Sequence, residues 1–250
     1  MKRSSNPALR SAILEKAQAD IAAGGSVATV NGAISKTAIL LGVLLASAGY
    51  IWWWIQGQQE VANLNVLMVA GVLGTLVLAL VTIFVPRIAP YTAPIYAASE
   101  GVLLGALSGL IEQKFSGVPM MATLLTFGVL AAMLVLYRTG VVKVTRRFVT
   151  VILGMMLGIA ACYLISLLLA LFGIYVPMVY GNGPTAIVFS VFVVGVASFS
   201  LMIDFEAIVD FARNEQPKYF EWYAAFSLLI GLVWLYIEIL DLLIKIKSRD

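Results

Sequence analysis

The stretch VTVILGMMLGIAACYLISLLLALF, residues 149–172, runs for 24 positions without a charged side chain. A hydrocarbon core about 30 Å thick is crossed by roughly 20 mostly apolar residues in a helix, so this segment alone is long enough to span a bilayer. Backbone N–H and C=O groups in lipid have no water to bond, and only a helix satisfies them within one segment. On either side of it six further stretches qualify, at 37–55, 64–85, 94–111, 118–137, 184–205 and 222–244. Pro86 and Pro90 separate the second from the third, Gly117-Val118-Pro119 precedes the fourth, and Gly181-Asn182-Gly183-Pro184 precedes the sixth. The expected fold is therefore all-α: a polytopic membrane protein whose residues 37–250 form one seven-transmembrane-helix bundle. Residues 1–36 are expected to be a mobile, cytoplasmic polar segment. With Lys2, Arg3, Arg10, Glu15, Lys16, Asp20 and Lys36 it is too long and too charged for a cleaved signal peptide.

Composition agrees. Hydrophobic residues make up 62% of the chain and charged residues 12%, against about a quarter charged in soluble domains. Cys162 is the only cysteine and histidine is absent. These two facts exclude an intrachain disulfide, a thiolate metal cluster, imidazole-ligated zinc, bis-histidine haem and any histidine-based catalytic triad. No cofactor is expected.

Lys and Arg between the spans set the orientation. With the N-terminus cytoplasmic, the inner segments hold the five basic residues before the first span, then Arg87, Arg138, Lys143, Arg146, Arg147, Arg213 and Lys218. The outer segments hold Lys114 and the tail residues Lys245, Lys247 and Arg249. The tail alone dissents, and a re-entrant last helix would satisfy the charge rule as seven crossings do not. A net charge of +3 matches a negatively charged inner leaflet and does not point to nucleic acid. Trp52, Trp53, Trp54, Trp222 and Tyr223 sit at span ends, where amphipathic rings anchor at headgroup level. Gly101, Gly105 and Gly109 on the third span, and Gly154 and Gly158 on the fifth, are spaced for close helix approach.

A charge at the bilayer centre costs at least about 2.5 to 3.5 kcal/mol, so carboxylates inside the spans are the candidate site. They are Glu100, Asp204, Glu238 and Asp241. Asp241 precedes Lys245 by one turn and suits a local ion pair. Glu238 lies deeper and needs a partner from another helix, for which Asp204 is the natural candidate. Spacing is the obstacle: straight antiparallel helices turning near Pro217 leave the two roughly 12 Å apart in depth.

The runs Ile203-Asp204-Phe205-Glu206-Ala207-Ile208 and Trp234-Leu235-Tyr236-Ile237-Glu238-Ile239-Leu240-Asp241-Leu242-Leu243, with Glu221-Trp222-Tyr223-Ala224-Ala225-Phe226, resemble the Bax inhibitor superfamily of seven-helix membrane proteins. Thr29-Val30-Asn31-Gly32-Ala33-Ile34-Ser35-Lys36-Thr37 and Leu134-Val135-Leu136-Tyr137-Arg138-Thr139-Gly140 are similar to a bacterial branch of it. The resemblance implies a pH-sensitive calcium leak in the bacterial cytoplasmic (inner) membrane. It would be gated by a carboxylate pair between helices six and seven, at Asp204 and Glu238, with Glu replacing the Asp usual at the second position. It also implies a nearby arginine from helix two, for which Arg87 is a weak match whose simpler role is a helix-end charge. Glu100 and Asp241 are possible accessory groups.

Two carboxylates in hydrogen-bonding reach at a poorly solvated site share a proton and titrate as a unit. They are also oxygen ligands for Ca²⁺, although a stable site needs six to eight oxygens. Two acids therefore suit transient binding during permeation rather than a resident metal. The alternatives are a membrane scaffold that binds other membrane proteins and, less favoured, an intramembrane aspartyl protease, whose Gly-x-Gly-Asp motif is absent around these acids. The expectation is a channel, not an enzyme, with the lipid bilayer and calcium ions as partners.

Overall fold

The structure, a computed structural model, describes residues 26–57 and 64–249. Its long helices are α1 (Val30–Gln56), α2 (Leu64–Phe84), α3 (Ala89–Lys114), α4 (Val118–Thr139), α5 (Arg146–Leu171), α6 (Pro184–Arg213) and α7 (Phe220–Lys247). A 3-10 turn, Pro86–Ile88, leads into α3, and a single helical turn, Pro177–Tyr180, precedes α6. Among the described residues there is no strand, only an isolated antiparallel bridge between Val27 and Pro217.

Six helices, α1 and α3 to α7, are long and apolar enough to cross a membrane. The expected count was seven. The second predicted span is helical over Leu64–Phe84 but is not among the six candidates, so six candidate spans stand where seven were expected. The first helix begins at Val30 rather than Thr37, because the Thr29 side chain accepts a hydrogen bond from Gly32 N at 3.0 Å and caps an orphan donor there. The polar segment expected to be mobile runs to residue 36, but from Val30 onward it is helical; residues 1–25 lie outside the described residues. Proline stands in the first turn of α3, α4 and α6, where its missing N–H costs nothing. Gly117 (φ 79°) and Gly140 (φ 69°) bracket α4 in the left-handed conformation, which glycine adopts without strain.

Helix α7 is the axis of the bundle. It packs on α1, α3, α4 and α6, and Phe226, Leu229, Leu235 and Leu240 on it are almost wholly buried. By contrast α5 packs mainly on α6, reaches α7 through Tyr163 and turns Leu157, Leu164, Leu168 and Leu171 outward, as a lipid-facing helix does. The α3 glycines meet the expectation of close packing. A Cβ on Gly101 would collide with Ser47 Oγ and the Leu44 carbonyl, and one on Gly105 with the Ala48 backbone. The expectation fails for α5: Gly154 and Gly158 have nothing within 4 Å of an added Cβ, because that face of the peripheral helix meets no neighbour.

Candidate functional site

Helices α6 and α7 are joined by the short connection 214–219, in which Glu215 takes a left-handed conformation (φ 49°). They run back antiparallel as packed neighbours. Residues equally far from the turn meet, and that register decides what each carboxylate touches.

Asp204 lies ten residues before the connection, and Ser227 faces it from the second turn of α7. The Ser227 hydroxyl donates to Asp204 Oδ1 at 2.6 Å. Oδ2 sits 3.0 Å from where a Cβ on Gly231 would be, so glycine at 231 is what lets the carboxylate lie flat against α7. Glu238 lies seven residues beyond Gly231, roughly 10 Å farther along the helix. Its carboxylate accepts from Tyr163 OH of α5 at 2.9 Å on both oxygens and from Trp234 Nε1 at 2.9 Å. Ring packing of Tyr163 on Phe189 of α6 fixes the phenol, and Ile159, Val193 and Val196 surround the group with apolar surface.

The expected Asp204–Glu238 pair is thus not formed. Each acid has its own neutral donors, because the α6–α7 turn places Ser227, not Glu238, at the level of Asp204. Asp241 behaves as expected: it pairs with Lys245 Nζ at 2.6 Å. Ser190 of α6 completes that cluster, donating to Asp241 Oδ2 at 3.2 Å and accepting from Lys245 at 2.9 Å. Glu100 is buried on α3 with the Thr75 hydroxyl of α2 beside it. Arg87 is exposed in the 3-10 turn between α2 and α3. Among the described residues no three Asp, Glu or Cys side chains converge on one point.

One cluster escaped the sequence reading. Glu221, in the first turn of α7, is 2% exposed and pairs with Lys36 Nζ of α1 at 3.1 Å. It also accepts from Thr29 N and Thr29 Oγ1, both at 3.0 Å. Gly32 makes the approach possible, since a Cβ there would collide with the carboxylate. Two backbone bonds flank the cluster, Ala28 N to Gln216 O at 2.7 Å and Lys218 N to Ser26 O at 3.0 Å. The chain entering α1 is thereby stitched to the α6–α7 connection. Trp222 also lies under the Lys36 ammonium, 5.9 Å from ring centroid to Nζ. No local signal links residues 192 positions apart. The only hint was opposite charge at the same end of two apolar runs.

These contacts assemble three of the four segments that carried the resemblance: the run before and into α1, the middle of α6, and α7. The sequence model of a family described as Bax inhibitor 1 like matches residues 6–248. The chain belongs to that family. No curated protein and no solved structure matches it. Membership covers nearly the whole chain, so in this Bax inhibitor 1 like protein the clasp at Glu221, the Asp204 contact and the Glu238 cluster all fall within the matched region.

Proposed function

We propose that this Bax inhibitor 1 like protein is a pH-sensitive leak for calcium across a bacterial cytoplasmic membrane. In this reading α2 also spans, giving seven crossings, and the N-terminus is cytoplasmic. It conducts ions and is not an enzyme; calcium is cargo, held briefly by carboxylates and not resident.

The observation that supports it best is the contact between Asp204 and Ser227. An acid inside an apolar helix pair is held by the neutral Ser227 hydroxyl and lies against Gly231. When ionised, Asp204 accepts that bond from α7; when protonated, it brings a proton of its own to the contact. The tie between α6 and α7 therefore differs between the two states. Glu238 acts in series, farther along α7, facing Tyr163, Trp234, Asp241 and Lys245. Two separate sites replace the shared-proton pair that the sequence suggested.

Calcium flux into liposomes containing the pure protein, measured from mildly acidic to neutral pH, tests this. Asp204→Asn should flatten the pH dependence, and Glu238→Gln should alter it by an amount that adds to the first in the double variant, since sites without shared partners act independently. Non-additive effects would restore a coupled pair. A pH profile unchanged by both single variants, with normal insertion, would refute the assignment. Silence of the wild type would favour a scaffold, and cleavage of a peptide would favour an intramembrane protease.

A further inference from the structure

Helices α1 and α4 both pack on α3, and both pack on α7, but not on each other. The gap between them is a cavity of ≈ 210 Å³ whose floor is Gly105 and Ser108 of α3 with Leu229 and Tyr236 of α7. At its mouth stand Leu45 of α1 and Met120 and Phe127 of α4, which are 43%, 50% and 38% exposed. The mouth is therefore continuous with the apolar belt that the spans present to lipid.

No charged side chain lines it, and its hydroxyls are already engaged. Ser108 and Tyr236 bond each other at 2.7 Å, Thr123 donates to Pro119 O at 2.9 Å, and Thr126 to Ala122 O at 2.8 Å. A water molecule is best held by two to four polar partners, and with their protons spent these hydroxyls offer it only acceptor sites in an otherwise apolar wall. An apolar guest needs none. Along α1 the lining runs from Leu41 to Trp52, a rise of roughly 16 Å. That is about half of a hydrocarbon core, the depth of one leaflet. Trp52 and its neighbour Trp53, 72% exposed, lie at the end of α1 away from the Glu221 clasp, where indoles meet headgroups.

We propose that this cleft is a lipid site, taking one acyl chain of a phospholipid sideways between α1 and α4, with the headgroup at Trp52 and Trp53. It rests on the membrane-spanning helices and not on the ion-leak reading, so either can fail alone.

Gly49 supplies the test, because it lines the cleft and an added Cβ there meets nothing within 4 Å. Gly49→Phe starts a ring into the cleft from a Cβ that meets no neighbour. Gly158→Phe places the same ring on the open face of α5 as a control. The full chain is reconstituted with phosphatidylethanolamine and phosphatidylglycerol, re-extracted in mild detergent, and its bound lipid counted by native mass spectrometry. Wild type and Gly158→Phe should retain one phospholipid per chain, and Gly49→Phe should lose it. Wild type without bound lipid, or Gly49→Phe with as much as wild type, overturns the proposal. So does rapid modification of Thr123→Cys, in a Cys162→Ser background, in vesicles by a charged, membrane-impermeant thiol reagent, which would mean a water-filled vestibule.

Discussion

Replacing Lys36 with methionine keeps the length of the side chain and removes its charge, and the clasp at the end of α7 should weaken as a result. The Glu221 carboxylate, 2% exposed, would lose its ion-pair partner while Lys36 itself is 22% exposed. Removing one member of a buried pair costs about 3 to 5 kcal/mol, since the other charge is left in a poor solvent. Two bonds from Thr29 persist, which puts Lys36→Met near the lower end, at about 3 kcal/mol. For a chain of this size that corresponds to a fall in Tm of roughly 6 to 12 °C. Glu221→Gln should be milder, about 1 kcal/mol, because Lys36 can turn toward water and the amide oxygen still accepts from Thr29. Adding Glu221→Gln to Lys36→Met should then recover most of the loss. Thermal unfolding in detergent can be monitored with a thiol-reactive dye at Cys162, the only cysteine, on a helix that takes no part in the clasp. Equal costs for the two single changes, adding in the double variant, would refute a buried carboxylate dependent on Lys36.

The α3 glycines predict a second asymmetry: Gly105→Ala drives a methyl into the Ala48 backbone and should cost about 1 to 3 kcal/mol, whereas Gly158→Ala should be neutral or slightly stabilising, read by the same unfolding assay. At the other end of α7, Asp241→Asn takes from Lys245, 7% exposed, its ion pair and leaves the bond to Ser190. It should destabilise by about 3 kcal/mol, more than Lys245→Met, because Asp241 is 43% exposed and can reach water; the pH profile of any flux should persist. For topology, Val141→Cys should resist an impermeant thiol reagent applied outside intact cells and Asn182→Cys should react, both in a Cys162→Ser background. The opposite labelling pattern would invert the orientation.

The site was half legible in the sequence. Carboxylates inside apolar runs stand out because the cost of a charge in hydrocarbon depends on the residue and its depth, both readable along one chain. Asp204, Glu238, Glu100 and Asp241 were found that way, and the Asp241–Lys245 pair came from helical periodicity. The partners of Asp204 and Glu238 were not legible. Ser227, Tyr163 and Trp234 are ordinary residues of their spans, and the resemblance suggested a direct pair where each acid has separate donors. The depth mismatch inferred from spacing was the sounder guide.

Partition into lipid is a property of each segment by itself, so composition and run length determined that this is a helical membrane protein and where most of its spans lie. Proline and glycine punctuation, equally local, determined where most helices are separated. Tertiary structure decided everything that depends on two distant segments sharing one depth and one face. It decided that α7 is the axis, that the α3 glycines meet α1 while those of α5 meet nothing, and that Glu221 closes on Thr29 and Lys36, the first of them 192 residues away. Those outcomes come from helix register and the lengths of the connections. A single turn's difference exchanges one partner for another without changing the hydropathy of any span.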